Sequence, residues 1–95
     1  MAIDPREARL KRMMMRSMRR GTKEMDILMM RFASAHLHEL SDGELDSYDL
    51  VLDQNDQDLY QWVTGQIAAP PEIAPMIARI SETAAADPVA KRPFA

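Results

Sequence analysis

RRGTKEMD, Arg19–Asp26, sets two arginines, the first glycine of the chain and two acids between two methionine-rich segments. The glycine breaks what would otherwise be a continuous helical pattern, so the stretch divides the N-terminal part of the chain into two helices. Upstream of it, Asp4, Pro5 and Glu7 read as a helix N-cap, a proline at the first helical position and an acid in the first turn. The first helix therefore runs from there to about Met18, with Leu10, Met14 and Met18 recurring on its inner face. Three consecutive methionines cannot all face inward, so at least one of Met13, Met14 and Met15 is expected at the surface.

Downstream, a second helix is predicted from Thr22 to about Leu40, turning Met25, Leu28, Met29, Phe32 and His36 to one side. Glu24 and Asp26 fall in its first turn, where each gains about 0.3 to 1 kcal/mol from the helix dipole. Ser41 and Glu44 carry the signature of a capping box, opening a third helix with Leu45, Tyr48 and Leu52 inward. A fourth helix starts near Asn55 or Asp56, carries Leu59, Trp62 and Val63, and closes at Gly65. Ala68–Pro71, AAPP, cannot extend a helix, and a fifth then uses Ile73, Met76, Ile77, Ile80 and Ala84. The expected fold is all-α, a small five-helix bundle in a single domain of residues 1–86, with a flexible tail at 87–95.

The net charge of -3 conceals an asymmetry: nine of the twelve Lys and Arg lie at or before Arg31, whereas eight acids occupy Glu39 to Asp58. Such polarity serves an acidic partner, nucleic acid or the chain's own other half. Without cysteine there are no disulfides or thiolate chemistry. His36 and His38 stand two apart and point to different helix faces, a spacing unsuited to one metal ion. Asp53, Asp56 and Asp58 resemble a calcium loop only in part, lacking its central glycine and terminal glutamate, and read better as capping residues. With no phosphate-binding glycine loop and no activated nucleophile, catalysis by this chain is not expected. No apolar run is long enough to span a bilayer, and Asp4 and Glu7 argue against a targeting peptide, which points to a soluble, cytoplasmic, bacterial-like protein.

Arg20, Gly21 and Glu24 match the Arg-Gly-x-x-Glu signature of the succinate dehydrogenase assembly factors, the flavinylation factors, with Arg19 before it and Asp26 after. A second segment, Asp56 through Trp62, is similar to that family's Asp-x-Asp-Leu-aromatic-x-Trp pattern and includes Asp58 and Tyr60. The resemblance implies a monomeric factor that binds the flavoprotein subunit of succinate dehydrogenase, and sometimes of fumarate reductase, and promotes covalent attachment of FAD. It implies that FAD is held by the partner rather than stably by this chain. On the same grounds Arg19, Arg20, Gly21, Glu24 and Asp26 are expected at the partner contact. Gly21 would allow close approach of the partner, and Arg20 would meet a partner carboxylate or brace Glu24. Met15, Met18, Asp56, Asp58, Tyr60 and Trp62 are expected to form a secondary surface. The competing reading is a basic-surfaced nucleic-acid-binding or antitoxin-like interaction protein, motivated by the crowded N-terminal cations.

Overall fold

A computed structural model describes residues 4–86, so the tail expected at 87–95 lies outside the described residues. Five α-helices follow in order: α1 Pro5–Ser17, α2 Lys23–His36, α3 Asp42–Leu52, α4 Asp56–Val63 and α5 Ala74–Ala86. A short 3-10 turn, Leu37–Glu39, follows α2, and there is no strand among the described residues. Helix α5 packs against α2, α3 and α4, while α1 lies on α2 and α3.

The local start signals act as the sequence predicts. The Asp4 carboxylate accepts the Arg6 N–H at 3.0 Å, with Pro5 opening α1. Ser41 and Glu44 form the reciprocal capping box, and Asn55 caps α4 by accepting the Asp58 N–H at 2.9 Å. At the far end of α4, Gly65 takes the left-handed conformation, φ 81°, that a side chain would oppose. The Ser41 N–H, with Arg79 beyond it, holds the Glu44 carboxyl below the usual carboxylate range. Because Arg79 donates to Glu44 at 2.6 Å, the same cap ties α5 to α3.

Two expectations change. Helix α2 ends at His36 rather than near Leu40, because the chain tightens into the 3-10 turn. Residues three apart stack in such a turn, which buries both Leu37 and Leu40, and Arg6 of α1 takes the Leu40 carbonyl at 2.5 Å. On α1 the buried face is turned from the expected one: Met13 is 2% exposed and Ser17 wholly buried, whereas Met18 is 49% exposed. Leu10 and Met14 only flank the core, and Met15 is the outward member of the methionine run. A polar residue on the inner face is admissible because Ser17 Oγ lies 2.8 Å from the Met13 carbonyl and 2.6 Å from the Tyr48 hydroxyl.

Tyr48 is buried, stacks on Phe32 with centroids 5.5 Å apart, and has its hydroxyl pKa pushed up from 10.0 to about 12 by burial. A phenol whose folded pKa is raised binds its proton more tightly when folded, so its contribution is intact below the unfolded pKa and lost as pH rises through the folded one. Between those two values the fold should lose roughly 2 to 3 kcal/mol through this group. Urea midpoints compared at pH ~9 and ~11.5 check this, the Tyr48→Phe variant being expected to lack that part of the decline.

The charge asymmetry is consumed largely inside the molecule. Helices α1 and α3 run in the same direction, and Arg6, Arg9 and Arg16 meet Asp42, Asp46 and Asp49 at 3.0, 2.6 and 2.6 Å. Arg16 also reaches Asp53 at 2.6 Å, and Arg20, just past α1, reaches Asp56 at 2.7 Å. The solvent-facing pairs contribute about 0.2 to 1 kcal/mol each at most. Lys11, Arg12 and Arg19, by contrast, make no ion pair among the described residues.

Candidate functional site: the Arg19–Asp26 turn and its carboxylate brace

Between α1 and α2 the chain has few backbone partners of its own, so its shape depends on side chains. After Met18 caps α1 in right-handed geometry, the Arg20 N–H donates to the Asp26 carboxylate. The other supports come from α4, more than thirty residues away. Asp56 Oδ1 accepts Arg20 Nε at 2.7 Å, and Oδ2 accepts the backbone N–H groups of Gly21 and Thr22. The remaining Arg20 nitrogens donate to the carbonyls of Leu52 at 2.8 Å and Gln54 at 2.7 Å. Those carbonyls lie where α3 ends, so one guanidinium ties the α1–α2 turn to the α3–α4 joint. The two sequence segments that carry the family resemblance are thus one structural unit, with side chains of Arg20 and Asp56 only 10% and 11% exposed.

This arrangement alters the roles expected for three residues. Arg20 neither braces Glu24 nor offers a free fork to a partner, because its donors are directed into the chain. Gly21 does not supply a left-handed backbone; a Cβ there would stand 2.9 Å from Asp56 Oδ2, so the clearance it gives is for its own chain's carboxylate. Asp56 is not the cap of α4, which is Asn55, but the acceptor that closes the turn. Asp53, also read as a capping residue, does occupy a cap position, the C-cap of α3, and its side chain pairs with Arg16.

The substitution Gly21→Ala should therefore cost about 1 to 2 kcal/mol, since the pinned carboxylate cannot move aside freely. Gly43, inside the first turn of α3 with open space around it, gives the opposite case. Gly43→Ala should raise stability by about 0.4 to 1 kcal/mol through the unfolded chain and helix propensity, and chemical denaturation of the pair compares them directly.

Glu24 differs from its neighbours. Thr22 Oγ1 caps α2 by accepting the Met25 N–H at 3.3 Å, which leaves Glu24 outside any capping box. No hydrogen bond or ion pair reaches its exposed carboxylate among the described residues. It borders a cleft of about 470 Å³ together with Thr22, Asp56, Gln57, Asp58, Tyr60, Gln61 and Gln66. A second cleft, about 440 Å³, opens between Arg12, Met15, Arg16, Arg19 and Arg20. Arg19 and Met15 therefore stand together, whereas Met18 is exposed outside that lining and Trp62 packs half-buried at the core edge.

Reading the sequence did not single out Thr22, Gln61 or Gln66 for the first cleft, nor Arg12 and Arg16 for the second. The signal for Arg12 was its helical spacing from Met15 and Arg16 on α1. Gln66, beyond the end of α4, gave none. Among the described residues no three His, Asp or Glu side chains are placed to hold a metal ion.

The most elaborate polar cluster of this small helical scaffold holds one turn in shape and leaves an acid and two guanidinium groups facing outward. Residues 11–84 match a family model described as the flavinator of succinate dehydrogenase, and the chain belongs to that family. Among its relatives is the mitochondrial succinate dehydrogenase assembly factor 2 of Meyerozyma guilliermondii, 46% identical over 64% of this chain and 45% of the relative. Its counterpart in Kluyveromyces lactis is 36% identical over 74% of this chain and 41% of the relative. The Candida glabrata protein of the same name is 43% identical over 66% and 39%. The chain thus spans under half the length of these curated relatives. All are named as mitochondrial, whereas the sequence reading expected a cytoplasmic, bacterial-like protein. No helix among the described residues is long and apolar enough to cross a membrane.

Proposed function

We propose that this chain is an assembly factor that binds the flavoprotein subunit of succinate dehydrogenase and promotes covalent attachment of FAD to a histidine of that subunit. The observation that carries the reading is the division of labour in the turn: Arg20, Asp56 and Asp26 hold it in shape, and Glu24 is left with no partner of its own among the described residues. A free carboxylate on a fixed backbone is suited to engaging a group that the chain lacks, at little ordering cost on binding. Family membership favours a flavoprotein as the source of that group.

The chain works as a monomer on FAD already held by the flavoprotein, and the bond-forming chemistry stays in the flavoprotein's own site. This chain's part is to hold the flavoprotein in the arrangement in which its histidine meets the flavin. The experiment is coexpression of the flavoprotein with and without this chain, reading covalent flavin as fluorescence of the denatured subunit in a gel. Covalent flavin that rises with the chain present supports the reading; equal labelling with and without it refutes it. The same assay on the fumarate reductase flavoprotein tests the second partner that the resemblance implies.

A further inference from the structure

The second cleft has a chemistry of its own. Arg6, Arg9, Arg16 and Arg20 are neutralised by aspartates of α3 and α4, but Arg12 and Arg19 are exposed and make no ion pair among the described residues. They flank Met15, 51% exposed, whose flexible thioether accommodates apolar groups of varied shape. We infer that this cleft docks an acidic segment of the flavoprotein, in which two carboxylates straddle one apolar side chain. The inference rests on the function proposed above and adds a contact distinct from Glu24.

Charge complementarity selects this occupant. Two guanidinium groups without a partner among the described residues favour carboxylates, each offering a forked pair of donors, and the half-exposed methionine between them favours an apolar side chain. A nucleic-acid backbone is the poorer fit. Arg16 is already paired with Asp49 and Asp53 at 2.6 Å and Arg20 with Asp56 at 2.7 Å, so only Arg12 and Arg19 of the lining are left to meet an anion, too few for a phosphate backbone. The acid-bearing cleft of Glu24 and Asp58 is lined by other residues of the same braced turn, Thr22 and Glu24. Docking both clefts at once would require a partner basic on one side and acidic on the other, which fixes its orientation.

Titration of the purified flavoprotein with the full chain, by calorimetry or fluorescence anisotropy, tests this. Arg12→Glu and Arg19→Glu should each weaken binding by about tenfold. Lys11→Glu, exposed on the same helix but outside the cleft, carries the same change in net charge and should weaken it by less than about threefold. Since none of the three makes an ion pair among the described residues, their thermal melts should stay close to the parent's. Raising salt from about 50 to about 300 mM should weaken parent binding more than that of Arg12→Glu.

Equal effects of Arg12→Glu and Lys11→Glu overturn the inference while leaving the proposed function intact. So does competition by a labelled single-stranded oligonucleotide that Arg12→Glu and Arg19→Glu abolish without affecting the flavoprotein. Failure of the parent chain to bind the flavoprotein at all overturns both.

Discussion

Asp56→Ala should lower stability by about 3 to 5 kcal/mol, the largest effect expected of any polar substitution in this chain. The change leaves the Arg20 guanidinium, 10% exposed, without its counter-ion and removes the acceptor of the Gly21 and Thr22 backbone N–H groups. Hydrogen bonds to a charged acceptor are worth roughly 1.5 to 3 kcal/mol each, and leaving donors unmet in a part-buried site forfeits most of that. A domain of this size has only about 5 to 14 kcal/mol in hand, so the variant is expected to lie near the edge of folding. With a urea slope of about 1 to 1.5 kcal/mol per M, the midpoint should fall by roughly 2 to 5 M. Asp53→Ala is the matched control, because its partner Arg16 is exposed and retains Asp49. It should cost under about 1 kcal/mol. If Asp56→Ala costs no more than Asp53→Ala, the brace does not hold the turn as described.

The second large effect is expected in function with the fold left almost unchanged. Glu24→Gln keeps the size of the side chain and removes its charge from the first turn of α2, costing at most the ~0.3 to 1 kcal/mol of its dipole interaction. That corresponds to a melting shift of no more than about 4 to 8 °C. Covalent flavin formed in the coexpression assay should nevertheless drop by about tenfold, the equivalent of one lost charge-assisted contact at the partner. The contrast between variants matters more than either number. Asp56→Ala loses stability and activity together, whereas Glu24→Gln loses activity alone. Flavin incorporation unchanged by Glu24→Gln would remove Glu24 from the contact and leave the turn as a purely structural joint.

What could be read from the sequence was what depends on neighbours. The caps at Asp4, Ser41 and Asn55, the left-handed Gly65 and the apolar faces of α3 and α5 are each specified within a few residues. The inner face of α1 was misjudged because its decisive contact is distant. Ser17 belongs inside only because Tyr48, thirty-one positions on, shares a hydrogen bond with it. Leu10, Met14 and Met18, spaced by four, drift around a helix of 3.6 residues per turn, so Met18 rotates out to solvent.

The site was legible as a set of residues and illegible as an assignment of roles. Glycine, arginine and acid at a helix junction fit capping as well as contact, and only the meeting of Arg20 with Asp56 across thirty-six positions separates them. The acids at 42, 46, 49, 53 and 56 did carry a usable signal, since their alternating steps of four and three mark one face of a helical path.

The ion pairs along α1 and α3 attract without defining where the two helices should stop. A slide of one turn would set Arg6 against Asp46, Arg9 against Asp49 and Arg16 against Asp53, again cation against anion. Alignment must come from pairs that do not repeat: Ser17 with Tyr48, and Arg20 with the carbonyls of Leu52 and Gln54. Replacing every surface ion pair with neutral residues should thus loosen the association of these helices yet preserve their phase, whereas an apolar residue at Tyr48 together with loss of Arg20 would leave a well-charged interface free to settle one turn out of place.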